Sequence, residues 1–150
     1  MLLCLMAWMQ IFLMVIDFSI DEFLGGKLKI KQPQRGYRAG IDPVLLAASV
    51  NASKGDNILE LGCGVGVASL CLAKRVAGLN IYGVEIQSDY AALATENSQL
   101  NSMDLNVVSA DIGRLPDSIK QLQFDHVMAN PPYFERLAST MSFNRGRDAS

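Results

Sequence analysis

The sequence predicts an α/β fold, a parallel sheet with helices on both faces, and three observations carry that prediction. From Asn57 onward, short apolar runs alternate with longer stretches of helical periodicity, the signature of strand–helix–strand units. Each apolar run ends in residues suited to the carboxyl end of a parallel strand: the glycines from Gly62, then Glu85, Asp111 and Asn130. Half the residues are hydrophobic and 19% are charged, which suits one globular domain with a sizeable core.

Before that alternation lie two segments of different character. Met1 to Ile16 is apolar with no charged side chain, yet it is shorter than the roughly 20 residues needed to cross a bilayer. It lacks a basic leader and a small-residue cleavage site, so residues 1–16 read as an extension outside the fold, with no membrane expected. Asp17 to Gly36 reads as short extended pieces. Lys27-Leu28-Lys29-Ile30-Lys31 alternates strictly, which turns Leu28 and Ile30 inward and three lysines outward, while Gly25-Gly26 and Pro33 mark turns. Asp42-Pro43 then predicts a helix start, with Asp at the cap and Pro at the first helical position.

The alternating part runs as follows. Asn57–Leu61 is a strand ending in Gly62-Cys63-Gly64-Val65-Gly66, and a helix follows through Ala68 to Val76, closed by Gly78. Ile81–Val84 is a second strand ending in Glu85, and Ser88 caps a helix running to about Leu100. Leu105–Ser109 is a third strand leading to Asp111, Pro116–Leu122 a short helix, and Phe124–Ala129 a fourth strand. Pro131 and Pro132 lack a backbone N–H, so the chain must leave the sheet there.

Charge and cysteine usage narrow the function classes. A formal net charge of −2 argues against wholesale polyanion binding, yet 8 of the 13 basic residues fall in two short segments. Lys27, Lys29, Lys31, Arg35 and Arg38 form one, and Arg136, Arg145 and Arg147 the other, leaving room for a local nucleic-acid surface. Cys4, Cys63 and Cys71 show no metal-type spacing and are odd in number, which fits a reducing cytoplasm, no disulfide framework and no metal site. His126 within the fourth strand and Cys63 in the glycine turn read as structural and packing residues.

The strand ends carry the chemistry. Gly62, Gly64 and Gly66 let the backbone approach a ligand closely, with a helix N-terminus behind them. Glu85, about 20 residues further on, is placed to accept from two ribose hydroxyls, and Asp111 from an adenine amino group. Read as a G-x-G-x-x-G fingerprint, the last position falls on Val67 or Ser69, so a nucleoside ligand is preferred over a pyrophosphate. The Asn130 carboxamide and the Pro131 carbonyl can address one amine group, and Tyr133 offers a flat face for a planar ring.

Glu60-Leu-Gly-Cys-Gly-Val-Gly66, Glu85, Asp111 and Asn130-Pro-Pro-Tyr133 together resemble the successive motifs of Rossmann-like S-adenosylmethionine-dependent methyltransferases. The Asn-Pro-Pro-Tyr loop is similar to that of the branch methylating planar NH₂ groups, adenine N6 or the glutamine amide of release factors. Upstream, Phe23-Leu-Gly-Gly-Lys27, Gln32-Pro33 and Gly36-Tyr-Arg-Ala-Gly-Ile-Asp-Pro43-Val-Leu-Leu-Ala47 resemble the bacterial valine-tRNA adenine-N6-methyltransferases, which modify the anticodon loop. The resemblance spans roughly Asp21 to Ser150. It implies S-adenosyl-L-methionine as cofactor, held by Glu60, Gly62, Gly64, Gly66, Glu85 and Asp111, with Asn130, Pro131 and Tyr133 as the catalytic loop. It also implies tRNA as substrate, with phosphates meeting Lys27, Lys29, Lys31, Arg35, Arg145 and Arg147, and places Tyr37 and Arg38 beside the cofactor.

A complete sheet of this class has seven strands, and four are legible, so residues 17–150 read as a methyltransferase domain incomplete at the C-terminus. The fourth strand would then be an open edge, for another copy of the chain to cover. A protein-glutamine methyltransferase and a non-catalytic cofactor- or RNA-binding remnant are the alternatives to a tRNA adenine-N6-methyltransferase.

Overall fold

The computed structural model describes residues 17–131, so the apolar extension, Tyr133, Arg136, Arg145 and Arg147 lie outside the described residues. A hairpin comes first, β1 (Phe18–Phe23) and β2 (Leu28–Pro33), followed by α1 (Asp42–Ser49). Then follow β3 (Asn57–Leu61), α2 (Val67–Arg75), β4 (Asn80–Glu85), α3 (Ser88–Leu100) and β5 (Asn106–Ser109). A 3-10 turn (Ile112–Arg114), α4 (Asp117–Lys120) and β6 (His126–Ala129) complete the described chain. The expected α/β class and the hairpin ahead of it are both present.

Strands β3 to β6 form one parallel four-stranded sheet in the order β5-β4-β3-β6. The chain builds outward from β3 to β5, then returns to pair β6 on the other side of β3. That reversal opens a crevice beyond the carboxyl ends of β3 and β6, where ligands bind in open α/β sheets. The pleat sends Ile58, Ile81 and Met128 to one face and Leu59, Val84 and Val127 to the other. The first face carries the main core, packed with Val67, Leu70, Cys71 and Leu72 of α2, Leu93 of α3, and Leu28 and Ile30 of the hairpin. The second face is covered more thinly, by Ile119 with Leu115 and Phe124, and Val127 remains 59% exposed.

Leu28 and Ile30 are fully buried and Lys29 is exposed, as the alternation requires. The hairpin docks through the outer edge of β2. Asn97 accepts from the Lys31 N–H (2.7 Å) and donates to the Lys31 carbonyl (3.0 Å), so its amide stands in for a neighbouring strand. One helical turn on, Asn101 does the same for the Lys29 N–H (2.9 Å) and carbonyl (2.7 Å). At the other end of the sheet, Asp56 lies 3.3 Å from the ring of His126, giving this histidine a structural partner.

Several element boundaries differ from expectation. Ile41, not Asp42, is the cap of α1, because its carbonyl accepts from both Val44 (3.0 Å) and Leu45 (3.1 Å). Asp42 falls in the first turn, where its charge suits the positive end of the helix. Ser88 is likewise the first helical residue of α3, and no side chain caps that helix. The Gln87 N–H there goes instead to the Glu85 carboxylate (2.9 Å). Helix α2 ends at Arg75, with Gly78 beyond it in the left-handed region (φ 77°).

Candidate functional site

The crevice above β3 and β6 holds a cleft of about 480 Å³ lined by residues from every strand end. Leu61, Gly62 and Gly64 come from β3, Glu85, Ile86 and Gln87 from β4, Ile112 from beyond β5, and Asn130 and Pro131 from β6. Tyr37 and Tyr90 close it from the side of the hairpin and α3. A narrower cavity adjoins it, bounded by Tyr37, Ala39, Pro43, Glu60, Cys63, Ala68 and Asn130.

The glycine loop is shaped by what lies behind it. Gly66 sits at φ 85°, and a Cβ there would press on Leu105 (3.1 Å) and Ala94 (3.3 Å), so only glycine lets α2 begin at this point. In front of Gly62 and Gly64 the space is open, since a Cβ at either would meet nothing within 4 Å. The Gly64 N–H donates to Glu85 Oε2 (2.9 Å), tying the loop to the end of β4. Cys63 fills the space over Gly83, and burial pushes its thiol well up, which suits packing rather than reactivity.

Two carboxylates are buried here. Glu85 is 6% exposed, and its oxygens each hold one backbone N–H, from Gly64 and Gln87. Each oxygen keeps lone pairs for further donors. Glu60 is 2% exposed, and its Oε2 accepts from both the N–H and the hydroxyl of Ser69. Burial raises its carboxyl to about 7, against the lowering by those two bonds, with Glu85 nearby adding to the rise. Among the described hydrogen bonds Oε1 of Glu60 has no partner, and Glu60 lines the narrow cavity together with Val67 and Ala68 at the N-terminus of α2. That cavity therefore presents an acid and a positive helix end side by side.

The other expected residues divide. Asn130 and Pro131 reach the cleft. Asp111 is exposed, and its Oδ1 caps the 3-10 turn through the Gly113 N–H (2.8 Å), so the cleft wall there is Ile112 rather than Asp111. Arg38 is engaged by Asp21 (2.6 Å) and the Pro33 carbonyl (3.0 Å), and Lys31 by Glu96 (2.8 Å) while lying 4.4 Å over the Phe18 ring. Lys27, Lys29 and Arg35 are exposed. Lys27 borders a separate groove of about 390 Å³ with Lys74 and Arg75.

Sequence reasoning did not select Tyr90, Ile86 or Ile112 for the site. Ile86 (65% exposed) and Ile112 (56%) each follow directly on a strand-end acid. An isoleucine directly after each of these acids was the available signal. Among the described residues, no helix is long and apolar enough to cross a membrane, and no three acidic, His or Cys side chains cluster to hold a metal.

Against known proteins, residues 39–145 match the family model described as the methyltransferase small domain. The chain is similar to the tRNA1(Val) (adenine(37)-N6)-methyltransferase of Haemophilus influenzae, 34% identical over 121 residues, covering 78% of this chain and 51% of that protein. A Methanocaldococcus jannaschii protein, provisionally named as a protein N5-glutamine methyltransferase, is 30% identical over 121 residues, covering 77% of this chain and 59% of its own length. The chain thus spans only about half the length of these curated relatives. Among solved structures, the Pyrococcus abyssi tRNA (uracil-54, C5)-methyltransferase in complex with S-adenosyl-L-homocysteine superposes with a TM-score of 0.59 at 22% identity. That match covers 77% of this chain and 28% of the other, and it shows the shared fold.

Proposed function

We propose that this chain, which belongs to the methyltransferase small domain family, moves a methyl group from S-adenosyl-L-methionine to the exocyclic N6 of an adenine in tRNA. The observation that carries this reading is the meeting of Asn130 and Pro131 with Glu85 and the glycine loop in one cleft. Reaction type and cofactor site thus share one space.

The residues fit the cofactor. Glu85, fixed by two backbone N–H groups, has lone pairs left for a pair of ribose hydroxyls, and Ile86 and Ile112 offer apolar surface for a purine. The narrow cavity, with Glu60 beside the α2 N-terminus, suits the ammonium and carboxylate of an amino-acid end. When bound, S-adenosylmethionine supplies a methyl group activated by its sulfonium.

The chain's own part is to prepare the amine. An exocyclic amine is a poor nucleophile because its lone pair is delocalised into the ring. Asn130 Oδ1 and the Pro131 carbonyl, accepting one N–H each, favour a pyramidal nitrogen with its lone pair turned toward the methyl group. Most of the acceleration then comes from orientation and from acceptors matched to developing positive charge. Tyr133, stacked on the base, would contribute about 1–3 kcal/mol of binding.

The partner we propose is tRNA, entered at its anticodon loop, with Lys27, Lys29 and Arg35 on its phosphates and a cytoplasmic setting. A second copy of the chain against β6, an outer strand of the sheet among the described residues, is a further proposal. A monomer at micromolar concentration in sedimentation equilibrium would remove it. A second substrate reading, a protein glutamine, rests on the similarity to the Methanocaldococcus protein, because a carboxamide NH₂ poses the same chemical problem.

Asn130→Ala tests the mechanism. Methyl transfer should fall on the order of 10²-fold, while the affinity for S-adenosylmethionine measured by calorimetry stays within about twofold. Transfer at the wild-type rate in this variant would overturn the role given to Asn130.

A further inference from the structure

The segment Tyr37–Ala39 is held by a hydrogen bond at each of its residues. Gly36 stands at φ 97°, and a Cβ there would come within 2.8 Å of the Tyr90 hydroxyl. That hydroxyl donates to the Tyr37 carbonyl at 3.2 Å. Arg38 is held by Asp21 (2.6 Å) and the Pro33 carbonyl (3.0 Å). The Ala39 N–H donates to Gln32 Oε1 (2.8 Å), and Gln32, itself 1% exposed, donates to Asp21 (2.6 Å). Hairpin and α3 together thus fix the backbone from which Tyr37 extends.

Tyr37 borders both the cleft and the narrow cavity, and Asn130 Nδ2 donates to its hydroxyl at 3.4 Å. This is the one hydrogen bond described for the Asn130 side chain. A terminal carboxamide rotates readily, and its two ends exchange places on a half turn. Only one of those orientations offers oxygen to an incoming amine.

We infer that Tyr37 is a positioning residue: its hydroxyl, by taking the Asn130 Nδ2–H, holds the carboxamide with Oδ1 free to accept from the substrate amine. The inference rests on the reading that Asn130 accepts from that amine. The phenol is suited to the task, because burial, Asp42 and Glu60 all push its ionisation upward, keeping it neutral. A separation of 3.4 Å in the free protein is of the length that tightens when substrate arrives.

Tyr37→Phe keeps the ring and removes the hydroxyl, so it separates positioning from packing. In the whole chain we expect kcat for methyl transfer to fall about threefold to tenfold, the range for one hydrogen bond. Affinity for S-adenosylmethionine should stay within about twofold. The Asn130 side-chain NH₂ resonances should move in the ¹⁵N spectrum of the variant, and in an Asn130→Ala background Tyr37→Phe should cost nothing further. Unmoved Asn130 resonances, or an equal loss in the Asn130→Ala background, would overturn the inference. A wild-type chain that transfers no methyl group would count against the functional reading alone, since the resonances still decide whether Tyr37 holds Asn130.

Discussion

Glu60 and Glu85 lie at the ends of neighbouring strands, both buried, and their surroundings give them different properties. Glu85 was legible from its place after an apolar run, and the structure adds that two backbone N–H groups hold it. Glu60 was legible only through the motif around it, because the Ser69 pair that holds its Oε2 forms across the loop. Tyr90 was less legible still, since its hydrogen bond to Tyr37 joins residues 53 positions apart. Glu60 yields a pH prediction. Its folded pKa of about 7 lies above the ordinary 4.5, so the protonated form is the one the fold favours. Its stabilising contribution is full below about pH 4.5, falls as pH rises toward 7 and is lost above it, with an upper bound on the order of 3 kcal/mol. Denaturation midpoints across this range should decline in the wild type and flatten in Glu60→Gln. An unchanged slope in the variant would show that the dependence comes from another group. A ligand ammonium beside Oε1 would favour the carboxylate, so S-adenosylmethionine binding below pH 7 should release a proton.

At the scale of elements, the hairpin is the part whose existence could be read and whose attachment could not. Alternation in Lys27–Lys31 shows a strand with one buried face, but two asparagines four residues apart on a helix look like an ordinary polar stripe. Only the edge of β2 that faces away from β1 gives them their function as a substitute strand. Asn97 is fully buried and also donates to the Val65 carbonyl (3.0 Å), so it joins the hairpin to the loop leading into α2. Asn97→Ala should therefore cost about 1–3 kcal/mol, the penalty for buried polar groups left without partners. Amide exchange at Lys31 should quicken in this variant, in step with the loss of its acceptor. Protection unchanged at Lys31 would mean that β2 does not depend on α3. Helix starts were the least legible feature, because an Asp or Ser beside an apolar run fits both the cap and the first turn. The backbone bonds of Ile41 and Gln87 decide between them.

For the molecule as a whole, the repeating alternation revealed four parallel strands, but not that β6 returns to the side of β3 away from β4. That return creates the crevice, and it brings Asn130 from the end of the described chain to Tyr37 near its start. Net charge, −2 overall, says little about RNA, whereas the exposed Lys27 and Lys29 at the hairpin give a local surface. Reversing both, as Lys27→Glu with Lys29→Glu, should weaken tRNA binding and lower the salt slope by about 2, one for each phosphate no longer neutralised. An unchanged slope would place the RNA elsewhere. Everything proposed for the cleft turns on which group receives the methyl. The decisive experiment is transfer of a radiolabelled methyl group onto total tRNA and, separately, onto release factor, followed by digestion to single nucleosides or amino acids. Label in N6-methyladenosine from tRNA is the expected result; label in methylated glutamine, with none in tRNA, would overturn the assignment.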